Sequence, residues 1–223
     1  MITPFQPILD RALARSGGAA APEEALPPPK SDDELRAVPD DRYLSLMSRR
    51  VFRAGLKHAL VDARWPAFEE VFFGFEPRRV TAMNDEDVEK LMDNRRLIRH
   101  WAKLKSVRHN AAAMTRVSEA HGSFGAYLAG WPATDITGLW TDLVKRFAHL
   151  GGNSGPSFLR MAGKDTFLLS GDVVRGLVGA GVVGARPTSK ADLLKAQDAF
   201  NAWAEETGRP LSQLSMILAR AAG

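Results

Sequence analysis

A glycine-rich turn between two helix-forming segments is the first feature of this sequence that could perform chemistry. It reads Leu150-Gly-Gly-Asn-Ser-Gly-Pro156 and separates segments 136–149 and 155–163, whose apolar spacing predicts helices. A tight turn of this kind can direct backbone N–H groups, and the positive end of the second helix, at one nucleic-acid phosphate. An ordinary connection between helices is the alternative interpretation. The residues interpreted as a phosphate anchor are Gly152, Asn153, Ser154 and Gly155.

A carboxylate follows this turn about twenty residues later. Asp172 stands in Leu168-Leu-Ser-Gly-Asp-Val-Val174, at the start of a helix predicted over 170–180. Next to a phosphate anchor, a carboxylate could stabilise a sugar cation or orient a water molecule, as cleavage of an N-glycosidic bond requires. An acidic residue is also favoured at a helix N-terminus for capping and for the helix dipole, so a structural role is the alternative.

Residues 95–116 form a strongly basic stretch that contains no acidic residue, whereas residues 85–91 are acidic. Such a stretch can neutralise several phosphates, and Lys103 and Lys105 are its candidate DNA contacts. Trp101 lies among these basic residues, where its ring could stack on a base or line a pocket. A solvated helix face is the alternative for the whole stretch.

Composition limits the classes of protein to consider. The 223 residues carry 30 basic and 26 acidic side chains, a net charge of +4, and no cysteine. No apolar run is long enough to span a bilayer and the first residues lack the core of a secretory signal, so we expect no membrane association and a cytoplasmic protein. The histidines show no ligand-pair spacing, so we expect neither a metal nor a cofactor.

The sequence predicts an all-α fold of many short helices. Residues 17–30 are rich in Pro and Ala, which indicates a linker, so we expect an N-terminal extension over 1–30 and a helical domain over 31–223. Ser31 and Glu34 form a capping-box pattern at the start of that domain. The β-like run 166–169 is too short to build a sheet.

Apolar spacing and prolines at expected helix starts define the remaining helices. These predicted helices cover about 41–61, 65–73, 77–82, 85–92, 95–120, 123–129, 136–149, 155–163, 170–180, 188–206 and 210–221.

The turn and the carboxylate together resemble the helix-hairpin-helix DNA glycosylase superfamily, in which a Leu-Pro-Gly-x-Gly hairpin precedes a catalytic aspartate. Gly152 matches the first hairpin glycine, Ser154 occupies the place of the second, and Gly155 follows one residue late. The resemblance implies a helix-hairpin-helix bundle with Asp172 as the catalytic carboxylate.

A longer resemblance, over roughly residues 40–120, is to the DNA-3-methyladenine glycosylase I family. It implies a base-excision repair enzyme that flips a damaged base out of duplex DNA. The matching segments are Arg53-Ala-Gly-Leu56, Phe68 to Phe75-Glu-Pro77, Val80-x-Ala-Met83-x-Asp-Glu-Asp-Val88-x-Lys-Leu91, and Leu97-Ile-Arg-His100-x-Ala-Lys-Leu104-Lys-x-Val-Arg-x-Asn110-Ala.

The resemblance also assigns residue roles. Gly55 and Leu56 match the family's wedge, which fills the gap left by the flipped base, and a leucine side chain has a suitable size and polarity for that task. His58 stands where the family has its pocket tryptophan, and Arg50 stands where it has its base-recognising glutamate. The family's zinc ligands and its aromatic N-terminal loop have no counterpart in this chain.

Four residues near this wedge recur at a spacing of four, which predicts one face of a continuous helix. On that face we expect a hydrogen bond between His58 and Asp62, and a site that contacts a neutral or anionic base edge. His58 is also the candidate for protonating a neutral leaving base. An ordinary, partly exposed helix face is the alternative. The four residues are Arg50, Ala54, His58 and Asp62.

The sequence therefore predicts a monofunctional glycosylase that hydrolyses the N-glycosidic bond of an alkylated purine such as 3-methyladenine. Its expected partner is double-stranded DNA and its expected state is a monomer. No lysine lies where a lyase nucleophile would be needed. The alternatives are a glycosylase for a different modified base, a non-catalytic DNA-binding protein of the same fold, and an unrelated helical interaction protein.

Overall fold

The computed structural model describes residues 2–15 and 28–223, and this part of the chain is all-α. No β-strand occurs in it, and three short 3₁₀ turns lie at Phe73–Phe75, Leu91–Asp93 and Ala133–Asp135, so the predicted fold class is confirmed. The helices are α1 (Gln6–Arg15), α2 (Asp32–Ala37), α3 (Asp40–Arg53), α4 (His58–Val71), α5 (Pro77–Thr81), α6 (Asp85–Lys90), α7 (Trp101–His121), α8 (Phe124–Gly130), α9 (Ile136–Arg146), α10 (Ser154–Ala162), α11 (Gly171–Gly179), α12 (Lys190–Thr207) and α13 (Leu211–Ala222).

The chain divides into two compact units. The central unit comprises Ser31–Trp131 and Trp140–Ala162, and the terminal unit comprises Met1–Lys30, Pro132–Leu139 and Gly163–Gly223 in so far as these are described. The division into an extension over 1–30 and a domain over 31–223 stays a prediction. The Pro/Ala-rich linker predicted over 17–30 lies outside the described residues as far as residue 27.

Helix α3 is the centre of the central unit, where it packs against α4, α5, α7, α8 and α10. The expected capping box holds the first helix of this unit, since the Ser31 side chain accepts from Glu34 N–H and the Glu34 carboxylate accepts from Ser31 N–H. Helix α8 approaches α2 so closely that a Cβ at Gly125 would lie 2.3 Å from the Leu35 carbonyl oxygen. The Tyr43 hydroxyl donates to the same carbonyl oxygen at 2.7 Å.

A stack of aromatic rings joins α4 to the segment that follows it. The Trp65 ring stacks on Phe68 at 4.9 Å and on Phe75 at 5.4 Å between centroids, and Phe52 of α3 meets Phe68 edge-on at 4.6 Å. The buried Trp65 indole also donates to the Ser45 hydroxyl at 3.0 Å. Burial of such large rings fixes the direction in which α4 leaves α3.

The terminal unit is built around α13, which packs against α1, α11 and α12. Gly176 lets α11 touch α13, because a Cβ there would lie 2.6 Å from the Leu218 side chain. Phe5 is fully buried against Trp203, and its N–H donates to the Glu206 carboxylate at 2.9 and 3.0 Å. Helix α1 thus belongs to a packed unit, although apolar spacing did not predict it.

Two predicted helix boundaries are wrong near the candidate site. The helix expected over 41–61 ends at Arg53, since Gly55 adopts φ +79°, and a new helix starts at His58. The helix expected to start at residue 65 is the interior of α4, with Pro66 inside it. Pro66 is exposed, so its ring avoids the core, and the helix loses only one hydrogen bond there.

Candidate functional site

The turn between α3 and α4 presents an exposed leucine on a braced backbone. Leu56 is 36% exposed, and its N–H donates to the Arg53 carbonyl oxygen at 3.2 Å. The Lys103 ammonium of α7 donates to the Ala54 carbonyl oxygen at 2.7 Å and to that of Phe52 at 3.4 Å. A cation that binds the last carbonyls of a helix stabilises its C-terminal end. The geometry therefore suits the predicted wedge, which remains a prediction.

The predicted single helical face across this region is wrong. Because α3 ends before the turn and α4 starts after it, Arg50 lies on one helix while His58 and Asp62 lie on the next. His58 is the first residue of α4 and is exposed. The expected hydrogen bond between His58 and Asp62 is not formed, and the Asp62 carboxylate is occupied by arginine side chains instead.

Asp62 accepts hydrogen bonds from two arginines of α3. Arg53 donates from Nε to Oδ1 at 3.1 Å and from Nη2 to both carboxylate oxygens at 2.7 Å, and Arg49 donates from Nε to Oδ1 at 2.9 Å. The hydrogen bonds from Arg53, and then those from Arg49 with both positive charges, lower the pKa of the Asp62 carboxyl against the opposing effect of burial. The Asp62 carboxylate thus links α4 to the end of α3, a role that sequence spacing did not reveal.

Arg50 lies between these two arginines in sequence but lacks an acidic partner. Its Nε is buried without a hydrogen-bond partner, and no ion pair within the described residues includes it. Burial, followed by the charge of Arg53, lowers the Arg50 pKa. Burial and the charge of Arg50 likewise lower the pKa of Lys103. The candidate site therefore carries more positive charge than its carboxylate neutralises.

The start of α7 carries the predicted tryptophan. Trp101 is 37% exposed, and the Lys105 ammonium lies 5.8 Å from the centroid of its ring. The contact keeps Lys105 close to the exposed indole, which is a suitable arrangement for stacking a base beside a phosphate. Lys103, two residues earlier, binds the carbonyl oxygens at the end of α3, so its side chain is part of the turn. Their roles in DNA binding stay predictions.

The glycine-rich turn forms a tight connection before α10. The N–H groups of Ser154 and Gly155 donate to the Gly151 and Leu150 carbonyl oxygens at 3.1 and 3.0 Å. A Cβ at Gly155 would lie 2.9 Å from that Leu150 oxygen, so the position requires glycine. Of the predicted anchor, Ser154 and Gly155 thus use their N–H groups within the turn, whereas Gly152, at φ +58°, is exposed.

A buried asparagine holds the segment before this turn, and sequence reasoning missed it. Asn110 of α7 is fully buried; its Oδ1 accepts from Ala148 N–H at 2.7 Å and its Nδ2 donates to the Ala148 carbonyl oxygen at 3.3 Å. These two bonds attach the turn segment to the basic helix. The sequence feature that could have identified Asn110 is its position as a single amide side chain next to the alanines of α7.

Asp172, in the terminal unit, lies in the first turn of α11 without capping it. The cap is Ser170, whose hydroxyl accepts from Val173 N–H at 3.2 Å. Asp172 forms an ion pair with Arg175, three residues later on the same helix, and its side chain is 51% exposed. It lines an open depression of about 600 Å³ with Arg15 and residues of α13. Ser170, and not Asp172, therefore caps α11, and the Asp172 carboxylate remains accessible.

The described residues contain neither a cluster of metal ligands nor a membrane-spanning helix. No group of three or more histidine, cysteine, aspartate or glutamate side chains within the described residues could hold a metal ion. None of the helices in residues 2–15 and 28–223 is long and apolar enough to cross a bilayer.

Comparison with known proteins identifies the family. A family model described as methyladenine glycosylase matches residues 36–145, a segment that includes the α3–α4 turn and the basic helix and ends before the glycine-rich turn and Asp172. A DNA-3-methyladenine glycosylase from Haemophilus influenzae is 30% identical over 76 residues, which are 34% of this chain and 41% of that protein. DNA-3-methyladenine glycosylase 1 from Escherichia coli is 33% identical over 67 residues, 30% of this chain and 36% of that protein.

The fold agrees with these sequence matches. A crystal structure of a 3-methyladenine DNA glycosylase I variant in complex with 3-methyladenine aligns with a TM-score of 0.51 and 26% identity, covering 56% of this chain and 77% of that one. The chain has this all-α fold and belongs to the methyladenine glycosylase family. Its matches span about two-fifths of the length of the curated relatives.

Proposed function

We propose that this protein is a monofunctional DNA glycosylase of base-excision repair, which flips a damaged purine out of duplex DNA and hydrolyses its N-glycosidic bond. The observation that carries the proposal is the family match over residues 36–145, which contains the exposed Leu56 on its braced turn. An alkylated purine such as 3-methyladenine is the first substrate to test, because the relatives are named for it. We further propose that the protein acts as a monomer in the cytoplasm.

The proposed DNA contacts are of two kinds: an apolar side chain that enters the duplex, and groups that contact phosphates. Leu56 would enter the duplex and fill the space of the flipped nucleotide, since an apolar side chain there offsets part of the lost base stacking. The exposed Gly152 of the glycine-rich turn would approach a phosphate, where the absence of a side chain permits close contact with the backbone. The exposed Lys105 would add a second phosphate contact beside Trp101.

The proposed chemistry is hydrolysis through a sugar cation. The bond between C1′ and the purine nitrogen breaks, its electron pair leaves with the purine, and water adds to C1′. A cationic alkylated purine leaves as the neutral free base, and the proton released by the water goes to solvent; a neutral purine leaves as an anion and takes up a proton in place of the one that the water releases. In both cases the products are an abasic sugar and a free base. Asp172 would stabilise the cationic sugar or orient the water, and His58 would protonate a neutral leaving base.

The test is release of free base from methylated duplex DNA, with abasic sites counted by alkaline cleavage and DNA binding measured by gel shift. We expect release of 3-methyladenine or another modified purine, together with binding that weakens as salt increases. Salt-sensitive binding without release of any base from damaged or oxidised duplexes would contradict the glycosylase proposal.

A non-catalytic DNA-binding protein of the same fold is the second candidate. Its supporting observation is the ion pair between Asp172 and Arg175, because a paired carboxylate is less available to a sugar cation. The same assay separates the two candidates, since this alternative requires binding to damaged duplex without abasic sites.

A further inference from the structure

The guanidinium of Arg50 is half-buried, yet it lacks the hydrogen-bond acceptor or carboxylate that a buried cation normally has. Its Nε is shielded from solvent and makes no hydrogen bond, and no acidic side chain of the described residues pairs with it. A buried donor without an acceptor destabilises the folded protein, and does so more strongly when it is charged. A protein that keeps such a group usually supplies its partner in another way, as a bound ligand does.

The neighbouring groups cannot supply that partner. Arg49 and Arg53 share the carboxylate of Asp62, and Lys103 uses its ammonium on two backbone carbonyls. The charge of Arg53 lowers the pKa of Arg50, and the charge of Arg50 lowers that of Lys103, so the three cations lie within electrostatic reach of one another. An incoming group must therefore bring negative charge or strong hydrogen-bond acceptors.

The position of Arg50 indicates which group that is. Arg50 lies one turn before the end of α3, and Lys103, within its electrostatic reach, binds the Ala54 carbonyl at the base of the Leu56 turn. If Leu56 replaces a flipped base, the flipped nucleotide lies beside that turn, and Arg50 is a cation without a partner on the helix that leads into it.

We propose that Arg50 binds an acceptor edge of the flipped base, so that the protein excises purines that are neutral or anionic and carry a carbonyl oxygen, such as deaminated or oxidised purines. This inference rests on the proposed function and narrows its substrate. A guanidinium repels a cationic alkylated purine in the DNA but donates charge-assisted hydrogen bonds to a carbonyl oxygen. It also stabilises the electron pair that remains on a neutral purine when the bond to C1′ breaks.

The first experiment compares base release from duplexes that contain 3-methyladenine, hypoxanthine or xanthine. We expect the wild type to release xanthine or hypoxanthine at least about tenfold faster than 3-methyladenine, and Arg50→Gln to lose about tenfold of that release, as loss of one charge-assisted hydrogen bond implies. Arg50→Glu should shift the preference further toward 3-methyladenine. The matched control, Arg49→Gln, removes the same charge one residue earlier and should keep the preference of the wild type.

A wild-type preference for 3-methyladenine that Arg50→Glu leaves unchanged would overturn the proposal. So would a contact between Arg50 and a DNA phosphate, which shares the chemistry of an anionic acceptor. In that case Arg50→Gln would weaken binding to undamaged duplex and reduce the slope of log affinity against log salt by about 1. A base contact predicts no change in that slope.

A binding measurement separates failure of this proposal from failure of the proposed function. Calorimetric titration of the whole protein with free xanthine and free 3-methyladenine does not require catalysis. In one outcome, the wild type binds xanthine selectively, Arg50→Gln abolishes that binding, and no base is released from any duplex. This result would support base recognition by Arg50 and refute the proposed glycosylase activity. Equal or absent binding of both bases would count against the role of Arg50.

A melting curve shows whether the Arg50→Gln variant remains folded. Because Arg50 has no partner in the described residues, we expect its Tm to equal or exceed that of the wild type. A large fall in Tm would show that Arg50 makes stabilising interactions within the folded protein, and the proposal would fail.

Discussion

Two carboxylates near helix starts differ in how firmly the protein holds them. Asp62 of α4 is 34% exposed and accepts hydrogen bonds from two arginines of the preceding helix, so its charge joins two elements. Asp172 of α11 is 51% exposed and has one partner, Arg175, on its own helix. A carboxylate with several partners serves structure, whereas one with a single exposed partner can exchange that partner for a substrate at little cost.

The same contrast separates the cations around Asp62. Arg49 and Arg53 are satisfied by the carboxylate, and Arg50 is not. A group of like charges in which one member lacks a partner is the pattern expected of a recognition site rather than of a structural ion-pair network. The comparison supports a structural role for Asp62, whereas base recognition by Arg50 and chemistry at Asp172 are proposals that can be tested.

The largest effect is expected for Asp172→Asn, which removes the charge that would stabilise the sugar cation. We expect base release to fall by about a hundredfold, roughly 2.7 kcal/mol of transition-state stabilisation, with DNA binding retained. Single-turnover release of base and a gel shift measure the two quantities.

A matched control for this variant lies in the same unit. Asp192, in the first turn of α12, follows the serine cap Ser189 and pairs with Lys195 three residues later, as Asp172 follows Ser170 and pairs with Arg175. Asp192→Asn should therefore leave base release unchanged. Equal loss in both variants would reduce Asp172 to a helix-end charge and place the catalytic group elsewhere.

Leu56→Ala should produce the next largest effect, because the variant keeps the turn but shortens the side chain proposed to enter the duplex. We expect about a tenfold fall in base release, since a smaller plug allows the flipped base to return to the stack. Fluorescence of a 2-aminopurine beside the lesion measures the flipped population. Leu194→Ala, at another exposed leucine, on α12, is the control, and an equal effect there would argue against a wedge.

The sequence predicted the all-α fold more readily than the contacts around the candidate site. Apolar spacing reports which face of a helix is buried, so it located most helices, and the capping box at Ser31 was confirmed. Apolar spacing could not detect that Gly55 adopts a positive φ and divides one predicted helix into two. The arginine partners of Asp62 come from that break, since the turn brings α4 back toward α3.

Asp62→Asn should cost stability rather than activity. The Arg53 and Arg49 hydrogen bonds lower the pKa of Asp62, so the folded state binds its proton less readily than the unfolded state does. The contribution is present at neutral pH and is lost as pH falls through the acid range below about 4. We expect Asp62→Asn to lose about 1 kcal/mol at pH 7, a partial value because the pair is partly exposed, and to match the wild type near pH 2.

Urea unfolding at several pH values measures this difference. Glu70→Gln is the control, because Glu70 pairs with Arg96 on the open surface and should contribute no measurable stability. A difference between Asp62→Asn and wild type that persists at pH 2 would show that shape, and not charge, makes Asp62 important.

The smallest effect tests whether the central unit also holds DNA through its glycine-rich turn. A methyl group at Gly155 would lie 2.9 Å from the Leu150 carbonyl oxygen, whereas one at Gly151 would meet no atom within 4 Å. Gly155→Ala should displace the turn and weaken DNA binding about threefold, since the gain in helix propensity offsets part of the strain. Gly151→Ala should bind as the wild type does. Equal affinities for the two variants in a gel shift would place the phosphate contact elsewhere, and the basic helix α7 would then be the remaining candidate for it.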